Sequence, residues 1–331
     1  EEGYELLARL AAQAVRAGSL TPEQAERLGL PSPLPEPVFP MITSCSPGWI
    51  KFVEHRYPDR LAHLSSCKSP HMMLGALAKS WFAEKQGIRP ADMHVTSIMP
   101  CTAKKYEITR PEMKNEGLPN VDAVLTTREL GRLIREAGID FACLPDARFD
   151  APLGLSTGAA DIFGTTGGVM EAALRTVYEL LTGREIPFSG LHVAPLVGLD
   201  RLKTAKVSLI GLKSEWSFLE GVELRVAVTN GLAGAAAVMD EIEGGGSPYH
   251  FIEVMGCPGG CISGGGQPRT ADPDVRRLRM EAIYREDEGK PMRKSHENPD
   301  VASLYKQFLG TPGSHIAHEY FHTHYTPRNR I

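Results

Sequence analysis

Several features that would place a chain quickly are absent from this one. No stretch approaches the roughly 18 uninterrupted apolar residues of a membrane span. The first residues, EEGYELL, have neither the basic nor the apolar region of a signal peptide. Positive charge is not in excess: 36 Lys and Arg face 40 Asp and Glu, a net charge of -4, which excludes a generic nucleic-acid binder. Aromatics are scarce at 7%. Six cysteines in 331 residues do not make a disulfide scaffold, so their placement carries the information. What is present, 42% hydrophobic and 23% charged residues, suits a globular chain with a real core, as one large domain or two lobes.

Tyr4, Leu6, Leu7, Leu10, Ala11 and Ala14 recur at helical spacing from the very start, with no N-cap before Glu1. This pattern predicts a start inside a domain, with the N-terminal part missing. Leu30–Pro40 is too proline-rich for helix or central strand and reads as an extended connector. Strands are expected at Val95–Met99, Ala123–Leu125, Arg225–Thr229 and His250–Met255. Helices are expected from Thr126/Thr127, with Glu129 near its start and Gly138 as its stop, and over Glu171–Leu181. Alternating strands and helices argue for an α/β chain with mostly parallel sheets, whose ligands sit at the carboxyl ends of strands.

Two cysteine motifs fall at such ends. Glu253-Val-Met-Gly-Cys257-Pro-Gly-Gly-Cys261, followed by Gly264-Gly265-Gly266-Gln267-Pro268, spaces two thiols by three residues in a glycine loop. Such a loop lets backbone amides approach an inorganic cluster. Met99-Pro100-Cys101-Thr102-Ala103-Lys104 sets a soft ligand three residues before a cation that can meet anionic ligands. Thr43-Ser44-Cys45-Ser46-Pro47-Gly48-Trp49 is compatible with a ligand loop, and Cys67 follows in Leu64-Ser-Ser-Cys67-Lys68-Ser69-Pro70. Taken singly, Cys45 and Cys67 also read as small buried hydrophobes. Cys143, in an apolar run between Phe141 and Leu144, reads as core. His315, His318, His322 and His324 read as a solvated or packing terminal helix ahead of a second metal site.

Together, TSCSPGW, MPCTAKKYE and EVMGCPGGCISGGGQP resemble, in order, the three signatures of the catalytic (H-cluster) domain of [FeFe]-hydrogenases. FGTTGGVMEAALR, AVLTTREL and RKSHEN extend the likeness over nearly the whole chain. The resemblance implies a two-lobed α/β H-domain, mostly parallel sheets flanked by helices, with the cluster in the cleft between lobes. The lobes are placed at roughly 1–122 plus 250–331, and 123–249. It implies a [4Fe-4S] cubane linked to a two-iron subsite carrying CO, cyanide and azadithiolate, and reversible reduction of protons to H2.

By motif match, Cys101, Cys257 and Cys261 ligate the cubane, Cys261 as the bridge, and Lys104 donates to a cyanide. Met99, Pro100, Met255, Ser69, Pro70, His71, Gly167 and Gly168 complete the pocket. Cys45, Ser65, Glu5 and Glu2 form the proton route, with Arg9 near its outer end. Two positions depart from the family: Gly256 stands where Ala is usual, and Ser46 where a ligating cysteine is usual. The fourth ligand is therefore open between Cys67, Cys45 and Ser46, with one of the two cysteines preferred, because an alkoxide suits a soft cluster poorly and Cys67 follows soon after Ser46. The chain has no Cys-x-x-Cys-x-x-Cys array, so electrons are expected from a ferredoxin or partner electron-transfer subunit. Maturation proteins are expected to supply the two-iron subsite. Free thiols and the missing signal imply a cytoplasmic, anaerobic setting. An H2-sensing protein of low turnover and a hydrogenase-like iron–sulfur assembly factor are the alternatives.

Overall fold

The structure, a computed structural model, describes residues 1–187, 202–272 and 274–329. Its strands are β1 (Met41–Ile42), β2 (Thr96–Met99), β3 (Lys114–Asn115), β4 (Leu118–Pro119), β5 (Ala123–Thr126), β6 (Leu202–Ser208), β7 (Glu223–Asn230) and β8 (Phe251–Met255). One sheet has the order β1-β8-β7-β6. β8 runs parallel to β1 and β7, and β6 closes the edge antiparallel to β7. β2 and β5 form a separate parallel pair, and β3 and β4 a small antiparallel hairpin. The α/β class with mostly parallel sheets is thus what the chain adopts. Both larger assemblies draw strands from either side of residues 122/123.

The two-residue period of a strand divides the core. Val226, Val228 and Phe251 face one layer, against Leu6, Leu7 and Leu10 of the Glu2–Arg16 helix and Met170, Leu174 and Leu181 of the Gly168–Thr182 helix. Ala227, Ile252 and Val254 face the other layer, against Trp49, Ile50 and Val53 of the Pro47–Arg56 helix and Val238 and Met239 of the Gly231–Glu243 helix. β8 is buried along its length, as a central parallel strand covered on both faces must be. Its carboxyl end is consequently fixed against both layers, and the glycine-rich cysteine loop starts there.

Local chemistry sets the boundaries. Thr126 Oγ1 accepts from the Glu129 amide at 3.2 Å and Glu129 Oε2 accepts from the Thr126 amide at 2.8 Å. This reciprocal cap starts the Thr127–Glu136 helix where the sequence predicts, and Gly138 follows it at φ +71°. Leu30–Pro40 carries no helix or strand. One expectation is overturned: Cys143 is exposed, with Phe141 69% and Leu144 53% exposed. The run forms only a 3-10 turn after the helix, and no element among the described residues buries it. Four apolar residues in sequence do not make a core without an opposing layer. Among the described residues no helix is long and apolar enough to cross a membrane.

Candidate functional site

Cys101 follows β2, and Cys257 and Cys261 follow β8, so both motifs leave the carboxyl ends of parallel strands. The three thiols lie close enough to act on one another's charge. All six cysteines of the chain are free. Burial pushes the Cys261 thiol up to about 11 and raises that of Cys257, so a cation must displace their protons to bind.

Absent side chains hold the three loops of the site together. A Cβ at Gly264 would stand 2.2 Å from Pro100 O, and one at Gly266 would stand 2.7 Å from Thr126 Cβ. Gly260 adopts φ +93°, and its Cβ would meet the Thr166 amide nitrogen at 2.7 Å. In their place run backbone hydrogen bonds: Gly266 N–H to Pro100 O (2.8 Å), Thr166 N–H to Gly259 O (3.1 Å) and Ile262 N–H to Gly164 O (3.0 Å). Glu253, buried in β8, accepts from the amides of Gly167 (2.6 Å) and Met170 (2.8 Å). It thereby ties the Gly164–Gly168 loop to the cysteine loop. Burial raises this carboxyl to about 7 despite those amides.

Lys104 is buried and donates to Cys45 O (2.8 Å) and Glu107 Oε2 (2.9 Å). Glu107 also meets His71 Nε2 at 2.6 Å, while His71 Nδ1 meets Ser97 Oγ at 3.0 Å. Burial alone would raise the Glu107 carboxyl, but Lys104 and His71 hold it down at about 2. Met255, Ser69, Gly167 and Gly168 are buried, Met99 and Pro100 half-buried, and Pro70 exposed. Ser69 Oγ and Thr166 Oγ1 are buried without a partner among the described residues, which leaves both able to hydrogen-bond a bound group.

A second set of groups runs from Cys45 to the Glu2–Arg16 helix. The Cys45 thiol is raised well above its ordinary range by burial and by the charge of Glu2. The stem of Glu2 is partly exposed, but its Oε1 is buried without a partner. Burial and the charge of Glu5 lift this carboxyl to about 7. Ser65 donates to Glu5 Oε2 at 2.9 Å, and Arg9 donates to Glu5 Oε1 at 2.7 Å. Cys67 is buried on this side: its thiol lies 3.9 Å from Glu5 Oε2, and its segment bridges to His322. Ser46 stands at the start of the Pro47–Arg56 helix, where its Oγ accepts the Gly256 amide at 3.2 Å. A Cβ at 256 would stand 2.7 Å from that oxygen. The two departures from the family signatures are in contact with each other.

Sequence reading missed the Lys104–Glu107–His71 linkage and the part played by Glu253, although the glutamates of both motifs were a signal. It also missed Ser66, whose amide and hydroxyl both reach Glu5.

This arrangement of a cysteine-lined, glycine-cradled site on an α/β scaffold matches known proteins. The family described as "Iron only hydrogenase large subunit, C-terminal domain" matches residues 23–265, and "Iron hydrogenase small subunit" matches residues 273–328. The chain belongs to the iron-only hydrogenase large-subunit family, whose H-domain it forms. Subunit HndD of the NADP-reducing hydrogenase of Solidesulfovibrio fructosivorans is 49% identical over 296 residues, which cover 88% of this chain and 48% of HndD. The chain thus spans about half the length of that relative. The structure of [FeFe]-hydrogenase HydA1 from Chlamydomonas reinhardtii superposes with TM-score 0.81 and 41% identity, covering 99% of this chain and 81% of that one. Cytosolic iron-sulfur assembly component 3 of Bos taurus is 30% identical over 300 residues, 88% of this chain and 60% of its own.

Proposed function

We propose that this domain is the catalytic part of an [FeFe]-hydrogenase, interconverting H2 with two protons and two electrons. The observation that carries the reading is the convergence of Cys101, Cys257 and Cys261 beside Lys104 and Cys45. The fit to an H-cluster is supported by the three free thiols, the glycine cradle and the unpartnered Ser69 and Thr166 hydroxyls. Such a cluster, when bound, supplies the redox and base chemistry that splits and forms H2.

The chain's own residues hold and serve it. Cys101, Cys257 and Cys261 are thiolate ligands, and Met99, Pro100, Met255, His71, Gly167 and Gly168 wall the pocket and exclude water. Lys104, fixed by Cys45 O and Glu107, presents a buried cation to anionic ligands. We place Ser46 at the fourth corner on its position in the TSCSPGW signature, beside Gly256, whose amide its Oγ accepts. Cys45, Glu2, Ser65 and Glu5 hold and pass protons. Electrons come from a ferredoxin or electron-transfer subunit of acidic face. Arg128, Arg132 and Arg135 line a surface depression with Pro268, where Lys105 is paired with Glu129 at 2.9 Å, and Arg128 donates to Gly265 O in the cysteine loop. A cytoplasmic, anaerobic compartment suits the exposed Cys143.

An assembly role is the second reading, drawn from the assembly component's likeness. The polar chain from Cys45 to Glu5 favours turnover, since a cluster carrier has no use for buried proton relays. Cys261→Ala separates function from fold: bound iron and sulfide and hydrogen turnover are expected to be lost in a folded chain. Hydrogen turnover retained by Cys261→Ala would overturn the assignment.

A further inference from the structure

Resting on the hydrogenase reading, we infer that protons at Glu5 reach solvent through Ser66 and His322, with Arg9 anchoring Glu5 and not conducting. Arg9 is 5% exposed. Its guanidinium donates to Val38 O (3.0 Å), Ala62 O (3.2 Å), Leu64 O (2.8 Å) and Glu5 Oε1 (2.7 Å). A guanidinium does not give up its proton in a protein, so this end of Glu5 is held and charged but closed to transfer.

The other carboxylate oxygen is open to transfer. Ser66 Oγ lies 3.2 Å from Glu5 Oε2 and 2.7 Å from His322 Nδ1, and His322 Nε2 lies 3.0 Å from Glu1 Oε2. Counting hydrogens shows what these contacts demand. The Ser66 hydroxyl owns one hydrogen and faces two acceptors. When it donates to Glu5, the 2.7 Å contact needs a hydrogen on Nδ1, and the contact with the Glu1 carboxylate needs one on Nε2. His322 is then an imidazolium. When the hydroxyl donates to His322, the contact with Glu5 is made only if Glu5 carries the hydrogen. The two arrangements differ by one proton moved between Glu5 and His322 and the turn of one hydroxyl, the task for which an imidazole is suited.

The step balances without any electron moving. Glu5 gives its proton to the Ser66 oxygen as that hydroxyl's hydrogen passes to Nδ1, and the Nε2 hydrogen passes to water beside Glu1. Burial would raise the Glu1 carboxyl, but the neighbouring charges and hydrogen bonds hold it at about 2, so that it steers the proton and stays ionised. Glu1 lines a cleft of about 320 Å³, bordered also by Glu2, Gly3, Tyr305 and Pro312, where water takes the proton. His322 is held in register by its neighbours. Lys68 N–H donates to Phe321 O and Thr323 N–H to Ser66 O, both at 2.7 Å, and Tyr325 Oη–H donates to Ser65 O at 2.7 Å. The ligand atoms of Glu5, Cys67 and His322 also lie within 4.8 Å of one another. With both imidazole nitrogens and Glu5 Oε2 already engaged, a metal ion there would have to break the relay.

The test uses the whole chain loaded with its cluster. His322→Gln offers an amide donor and acceptor in place of the ring but cannot take up a proton, Ser66→Ala removes the hydroxyl, and Ser66→Thr retains it. Hydrogen oxidation with a dye acceptor gives kcat and KM, and infrared bands of CO and cyanide count loaded sites. His322→Gln and Ser66→Ala are expected to lower kcat on the order of tenfold or more, with KM for H2 and the bands unchanged. Ser66→Thr is expected to recover most of the rate lost in Ser66→Ala, and free imidazole to restore turnover to His322→Ala. Parent kcat in both His322→Gln and Ser66→Ala would overturn the branch alone. A parent protein with no bands and no turnover would overturn the hydrogenase reading and the branch with it.

Discussion

Glu2 makes a stability prediction that does not depend on turnover. Its carboxyl sits at about 7, from an ordinary 4.5, because burial and the charge of Glu5 both disfavour the anion. Between those values the folded chain binds a proton that the unfolded chain has released. The contribution is therefore fully present below pH 4.5 and is lost as the pH rises through 7. The gap corresponds to on the order of 3 kcal/mol. Glu2→Gln has nearly the same shape and no titration, so it removes that loss. The stability of Glu2→Gln relative to the parent should match at pH 4 and exceed it by about 3 kcal/mol at pH 8. Denaturant unfolding of the two chains, run side by side without oxygen across this range, measures the difference. Equal slopes of stability against pH in parent and variant would refute the reasoning. The same variant is expected to lose about a hundredfold in turnover, because an amide cannot relay a proton.

Two further substitutions address the fourth ligand. Cys67→Ala is expected to keep the full iron and sulfide content, because Cys67 faces Glu5; loss of one iron per chain would restore it as a ligand. Gly256→Ala places a methyl carbon 2.7 Å from Ser46 Oγ and forces that hydroxyl to turn. The electron paramagnetic resonance signal of the reduced cubane should shift in Gly256→Ala, and an unchanged signal would remove Ser46 from the cluster.

The local parts of the fold were legible because local chemistry decides them. The Thr126–Glu129 cap, the Gly138 stop and the buried run Phe251–Met255 each lie within a dozen residues. The meeting of Cys101, Cys257 and Cys261 could be anticipated because both loops leave parallel strand ends. Long-range pairings left no comparable mark. Ser66 and His322 are separated by 256 positions, and His71 and Glu107 by 36, and no periodicity links such side chains. Cys143 misled for the complementary reason: an apolar run specifies burial only when another layer arrives to cover it. The contact between Ser46 and Gly256 was equally hidden, although each had been visible as a departure from the family signature.

Infrared spectroscopy of the anaerobically matured chain, before and after adding H2, tests the central claim most directly. The account predicts sharp CO and cyanide bands that shift under H2, because a pocket walled by Met99, Lys104 and Met255 then holds a two-iron subsite that reacts with the gas. Iron and sulfide present with no such bands would contradict it, leaving a bare cubane on a hydrogenase scaffold.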